Sequence, residues 1–142
     1  MTEQAESERR MNMARRWFTE GWAGNVALAD DIFSENVRTN GVAVGVAGPK
    51  RRIQERLAGF PDLSTHIVDM FSAGDKVVTR LVWRGTHTGS YGGIAATGKR
   101  VEVPDFAVWR FESGQVVEVS TIQDQFGLLK QVGYLPGDVY AA

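Results

Sequence analysis

The chain of 142 residues contains no cysteine and only two histidines. The first absence excludes disulfides and thiolate ligands and fits a reducing cytoplasm, the location expected here. The second leaves His66 and His87, far apart in the sequence, as a poor basis for a metal site, so no metal is expected. Long apolar runs are missing, and residues 2–10 are charged rather than signal-like, so neither a membrane partner nor a secretory leader is expected. Excess charge of one sign is missing as well. Sixteen Lys and Arg face seventeen Asp and Glu, a net charge of −1, which leaves no electrostatic footprint for nucleic acid or an anionic membrane. The basic runs Arg9-Arg10, Arg15-Arg16 and Lys50-Arg51-Arg52 are expected on solvated helix faces. Repeats and low-complexity segments are absent. The glycine-rich stretch from Gly89 to Ile94 has neither phosphate-loop spacing and precedes a strand rather than a helix, so it is expected to be a hairpin loop or a lid, with Tyr91 as a lid or hydrogen-bond donor. No Ser-His-Asp order, nucleotide motif or haem motif occurs, and the chemistry expected is cofactor-independent acid/base work.

What is present is apolar and aromatic. Hydrophobic residues make up 43% of the chain, with four Trp and seven Phe, enough for one sizeable core but short for two domains. A single domain over residues 1–142 is expected, with residues 1–8 as a flexible N-terminus. A first helix from about Glu6 to Trp22 aligns Met11, Ala14, Trp17, Phe18 and Trp22 on one stripe. Asn25 is expected to cap a second helix carrying Val26, Leu28, Ala29, Ile32 and Phe33. After an extended piece from Val37 to Val46, Gly48-Pro49 opens a third helix with Ile53, Leu57 and Phe60 inward, closed by Phe60-Pro61-Asp62. Strands follow at roughly Ser64 to Phe71, Lys76 to Thr88, Arg100 to Phe111 and Gln115 to Gln123, separated by turn signals at Ala73-Gly74-Asp75, Gly89 to Gly98 and Ser113-Gly114. Three helices followed by an antiparallel sheet is an α+β arrangement with the helices on one face. Both parities of the later strands are substantially apolar, Phe106 and Val108 against Ala107 and Trp109. A sheet with one wet face should alternate more cleanly, so a second copy of the chain is expected on the outer face.

The last hairpin delivers Asp124 just before a short helix. It is a candidate acid/base, for which burial among aromatics would raise the pKa toward the operating pH; the competing role is the N-cap of the helix from Gln125 to Gln131. Asp105 shares parity with Ala107 and is a second candidate acid, with an edge-strand charge as its alternative. His87 and His66 are further catalytic candidates, each with a structural role as alternative. Trp17, Trp83, Trp109 and Phe106 are candidate walls of a cavity for a flat or long apolar substrate, although aromatics at such spacing also pack as core. Asn40 could orient a substrate oxygen or serve as the turn residue before Gly41.

The element order, together with Phe60-Pro61-Asp62-Leu63, Gly74-Asp75-Lys76-Val77, Gly85-Thr86-His87-Thr88-Gly89, Thr97-Gly98-Lys99 and the closing Asp124-Gln125-Phe126-Gly127-Leu128-Leu129-Lys130-Gln131-Val132-Gly133, resembles the SnoaL-like polyketide cyclases. These belong to the ketosteroid isomerase-like and nuclear transport factor-like superfamily. The resemblance runs from about Met11 to Pro136. It implies a curved, mixed but mostly antiparallel sheet and three N-terminal helices forming a cone with an internal pocket. It also implies a cofactor-independent enzyme of antibiotic biosynthesis that cyclises or isomerises a polyketide-like small molecule, acting as a homodimer or higher oligomer. In characterised cyclases an Asp ten residues after the hairpin glycine is the acid/base, the position of Asp124, and a His lies where this chain has Ala107. Where many relatives carry His-Trp before that Asp, this chain has Val119-Ser120, which implies a wider pocket bordered by Ser120. Because the fold hosts several chemistries, epoxide opening, a hydroxylase-like role and a non-catalytic binding or dimerisation module stay open beside the cyclase.

Overall fold

The computed structural model describes residues 2–135; Met1 and the end of the resemblance at Pro136 lie outside them. Helix α1 (Glu3–Arg16) starts three residues earlier than the apolar spacing predicts, because Thr2 accepts a hydrogen bond from Ala5 N and Glu3 and Glu6 occupy the first turn. It continues through a π-helical turn, Trp17–Gly21. A β-carbon at Gly21 would collide with the Trp17 indole, so the glycine is what lets that ring fold back into the core. The second helix is shorter than its apolar pattern suggests. A 3-10 turn, Val26–Leu28, leads into α2 (Ala29–Ile32), Asn25 makes no side-chain cap, and Phe33 already belongs to β1 (Phe33–Thr39). β2 (Val42–Ala43) follows, then α3 (Ala47–Gly59).

β3 (Ser64–Ala73), β4 (Lys76–Thr86), β5 (Arg100–Glu112) and β6 (Gln115–Gln123) lie within two residues of the positions expected, and α4 (Gln125–Gln131) closes the described chain. The sheet is a single curved layer in the order β2-β1-β6-β5-β4-β3, antiparallel throughout except that β1 runs parallel to β6. That one parallel contact brings the N-terminal helices across the hollow of the sheet, giving the α+β cone.

Along β5 the burial alternates strictly. Val101, Val103, Asp105, Ala107, Trp109 and Phe111 face inward, while Phe106 and Val108 face outward and are exposed. Facing partners in register extend the inner row, Ala107 opposite Thr79 and Thr121, and Asp105 opposite Leu81 and Gln123. Trp17, Phe18, Phe33 and Trp109 pack against one another inside the cone. Phe18 meets Trp22 and Trp109 edge-on at 5.2 and 5.4 Å, and Phe33 stacks on Trp109 at 5.8 Å. Such ring pairs fix side-chain orientation as well as contributing burial.

Candidate functional site

Between α3, the π turn and the inner face of β5 and β6 the helices do not fill the cone, and a cavity of about 240 Å³ remains. Its walls are Trp17, Phe18, Trp22, Phe33 and Trp109. Its polar groups are few: Asp105 and Thr121 from the sheet, Arg51, Arg52, Glu55 and Arg56 from α3, and Thr39 at the end of β1.

Asp105 is 3% exposed. Its Oδ1 accepts a hydrogen bond from the Thr121 hydroxyl at 3.3 Å, and its Oδ2 is buried without a partner. Burial pushes the carboxyl above the ordinary carboxylate value, against the opposing pull of the Arg56 and Arg52 charges and the Thr121 hydroxyl. Thr121 is held in turn by Asn40, whose amide donates to Thr121 O at 3.1 Å and accepts from Thr121 N at 2.8 Å. Asn40 takes a positive φ of 49° in the turn before Gly41. Its side chain thus serves as an extra strand residue tying β1 to β6 and is spent on backbone.

Arg56 is 1% exposed. The guanidinium lies between the Trp22 and Trp83 rings, 4.4 and 5.0 Å from their centroids, and Nη2 donates to Gln123 Oε1 at 3.0 Å. Trp83 Nε1 donates to the same oxygen at 3.3 Å. Nε and Nη1 remain buried without hydrogen-bond partners. Burial pushes the guanidinium pKa down, with Tyr91 and Asp105 opposing and Arg52 adding to the effect. Arg56 and Asp105 form no ion pair with each other among the described residues. One cavity therefore carries a carboxyl with a free oxygen and a guanidinium, supported by the Tyr91 side chain, with two donors that lack a well-formed hydrogen bond, and the two groups do not satisfy each other.

Arg56 was not singled out by the sequence reading, although the signal was there: it stands three residues after Ile53 and four before Phe60, on the buried stripe of α3. An arginine in an apolar stripe is a buried charge, and buried charges need a reason. The expectation of a solvated face holds for Arg51, which is exposed although it borders the cavity, and is corrected for Arg52, which is half-buried along it. Lys50 alone of that run points to a surface carboxylate, Asp30, at 3.0 Å.

The other candidates fall elsewhere. Asp124 is exposed, and its Oδ1 accepts from Gly127 N at 2.8 Å, the N-cap geometry of α4. A β-carbon at position 127 would strike the Asp124 carboxylate, so the local sequence is built for the cap. Asp124 is not among the residues lining the cavity that holds Asp105. Trp17 and Trp109 are cavity walls, and Trp83 lies fully buried beneath Arg56. Phe106 and Ser120 are exposed on the outer sheet face, and His66 is exposed on β3, because each has the opposite parity to the inner row.

His87 is buried but apart. Its Nδ1 lies 2.9 Å from Thr97 Oγ1 and its ring stacks on Phe60 at 5.3 Å, while Tyr91 meets Phe60 edge-on at 5.2 Å. These contacts fasten the glycine-rich loop. His87 and Tyr91 line a second, smaller hollow of about 190 Å³ against α4. Among the described residues no cluster of three His, Cys, Asp or Glu could hold a metal ion, and no helix is long and apolar enough to cross a membrane.

The sequence profile of the SnoaL-like polyketide cyclases matches residues 12–132. No curated protein matches the chain. Among solved structures, a candidate SnoaL-like polyketide cyclase from Jannaschia sp. CCS1 superposes with a TM-score of 0.85 at 22% identity, over 96% of this chain and 99% of its own. TsrD from Streptomyces laurentii gives 0.80 at 26% identity, over 95% and 100%. The candidate hydroxylase AclR from Streptomyces galilaeus gives 0.81 at 23% identity, over 92% and 84%.

Proposed function

Since the chain belongs to the SnoaL-like polyketide cyclase family, we propose that it is a cofactor-independent acid/base enzyme of secondary metabolism that enolises a polyketide-like ketone and closes or isomerises its ring system, with Asp105 as the proton carrier. The observation that carries this reading is the free, buried Oδ2 of Asp105 in an aromatic cavity. A carboxylate raised in pKa by burial is a stronger base than one in water, and its conjugate acid still returns the proton readily.

In the proposed reaction Asp105 Oδ2 removes a proton from the carbon beside a carbonyl, and the electron pair moves onto the carbonyl oxygen. Arg56 Nε–H and Nη1–H, already desolvated and unpaired, donate to that developing enolate oxygen, which costs no reorganisation at the moment of charge formation. The enolate carbon then attacks a second carbonyl of the same molecule. A new carbon–carbon bond forms, and the resulting alkoxide takes the proton back from Asp105. Thr121 fixes the carboxyl by occupying Oδ1, and Gln123 fixes Arg56. The aromatic walls hold a flat body against the two groups. Positioning and proton transfer together are the sources of rate in this scheme.

The test is exchange of the α-protons of 2-tetralone, a flat enolisable ketone, in deuterated buffer. The wild-type protein is expected to accelerate exchange over buffer, and Asp105→Asn to lose about 10²-fold or more of that acceleration. Equal exchange by both proteins would overturn the assignment. Hydroxylase-like or epoxide-opening chemistry has in its favour only the likeness of fold to AclR, and fold alone does not carry a reaction.

We further propose a homodimer formed through the outer sheet face. Phe71, Val78 and Val108 lie side by side across three strands, with Phe106 and Ile122 in the adjoining row. Ile122 is 71% and Phe106 48% exposed in the single chain. Cross-strand pairs of both signs border the patch, Arg84 with Glu102 at 3.1 Å and Arg110 with Glu118 at 3.4 Å. An apolar centre with a rim of mixed charge suits a self-complementary two-fold contact. The cysteine-free composition supports a cytoplasmic setting.

A further inference from the structure

Arg52 and Arg56 stand four residues apart on α3 and line the same cavity. Four residues is one helical turn, so their side chains leave the helix about 6 Å apart. Like charges at this spacing repel and cost helix stability unless an anion lies between or beside them. Of the cations beside it on α3, Lys50 pairs with Asp30, while the exposed Arg51 has no carboxylate partner among the described residues. Arg52 has no hydrogen bond or ion pair among the described residues, and its charge is felt by both Arg56 and Asp105. Three guanidiniums, Arg51, Arg52 and Arg56, thus face two carboxyl groups, Glu55 at the exposed mouth and Asp105 inside.

Resting on the enolisation reading above, we infer that the substrate is a free keto acid rather than its ester or amide: Arg52 pairs with the carboxylate while Arg56, one turn deeper, holds the carbonyl oxygen beside Asp105. A planar monoanion matches the guanidinium fork, in which two parallel N–H groups meet two oxygens. A phosphate fits less well, since a dianion would lie close to the Asp105 carboxyl. The aromatic walls leave room for an apolar body joined to that acidic end. Arg52 is in this role a binding and specificity residue; proton transfer does not pass through it.

Calorimetric titration with 2-naphthoate and with methyl 2-naphthoate tests the inference, because the two share one ring system and differ in the charge. The wild-type protein is expected to bind the acid about 10-fold or more tightly than the ester, the range of a charge-assisted hydrogen bond. Arg52→Gln is expected to remove most of that preference by weakening the acid far more than the ester, and added salt is expected to act in the same direction. Equal affinity for acid and ester, or an acid preference that survives Arg52→Gln, overturns the inference. Because 2-tetralone carries no carboxylate, its exchange reports on Asp105 and Arg56 and not on an ion pair with Arg52. A missing acid preference with intact exchange removes only the keto acid, whereas missing exchange removes the enolisation reading on which it rests.

Discussion

Burying Asp105 with one oxygen unpaired costs folding free energy, and the sign of that cost can be checked. Its folded-state pKa is raised. Between the ordinary carboxylate value, near pH 4, and the raised value, the folded protein therefore holds more protons than the unfolded chain, and stability falls as pH rises through that window. Asp105→Asn removes the dependence. The variant is expected to unfold at a higher denaturant concentration than wild type at neutral pH, with the difference vanishing below about pH 4. A variant less stable than wild type at pH 7 would mean that Asp105 is held as a structural anion. Asp124 leads to the opposite pattern. As an N-cap it contributes about 1 kcal/mol to α4, so Asp124→Ala is expected to lose roughly that much stability in chemical denaturation, while Asp124→Asn keeps both stability and 2-tetralone exchange. The two carboxylates were distinguishable in sequence only by parity: position 105 shares the inner row with Ala107 and Trp109. The Asp-x-x-Gly spacing of Asp124 and Gly127 is that of a capped helix start.

Elements were legible where periodicity is strong and less so where packing overrides it. The four long strands follow their alternation closely. The second helix fails because Val26 to Phe33 is apolar on too many sides for a short surface helix, and its last residue is drawn into the sheet as Phe33 pairs with Val116. The first helix changes pitch at Trp17–Gly21, which no propensity announces, since the π turn exists to seat the Trp17 indole over Gly21. Gly21→Ala is therefore expected to cost about 1–3 kcal/mol through overpacking and to displace a wall of the cavity. Thermal unfolding and the affinity for methyl 2-naphthoate should both report it. An unchanged midpoint and affinity would show that the turn tolerates the methyl group. On α3 the stripe Ile53, Arg56, Phe60 declares itself by its apolar members, and its single charged one joins Asp105 as a buried charged group of the cavity.

At the scale of the molecule, an α+β arrangement with helices on one face of a sheet follows from the order of elements and from turn chemistry, and the cone from the family resemblance, but the side of the sheet that each aromatic faces does not. Apolar content on both parities obscured the alternation that burial makes plain along β5. Phe106 consequently looked like a pocket residue and is an outer one. The outer patch is expected to hold two chains together at micromolar concentration in sedimentation. Ile122→Glu and Phe106→Glu, both at exposed positions, are expected to give a folded monomer. A wild-type chain that sediments as a monomer would contradict the dimer and leave the patch unexplained.

Asp105 as the proton carrier of the cavity is tested most directly by its own titration. Carbon-13 NMR of the side-chain carboxyls, with Asp105→Asn used to identify the resonance, follows the group without any substrate. The expected midpoint lies above the ordinary carboxylate range, and it rises further in Arg52→Gln, because the Arg52 charge pulls it down. A midpoint at or below that range would mean that burial does not strengthen Asp105 as a base, and the central premise of the proposed proton transfer would fall.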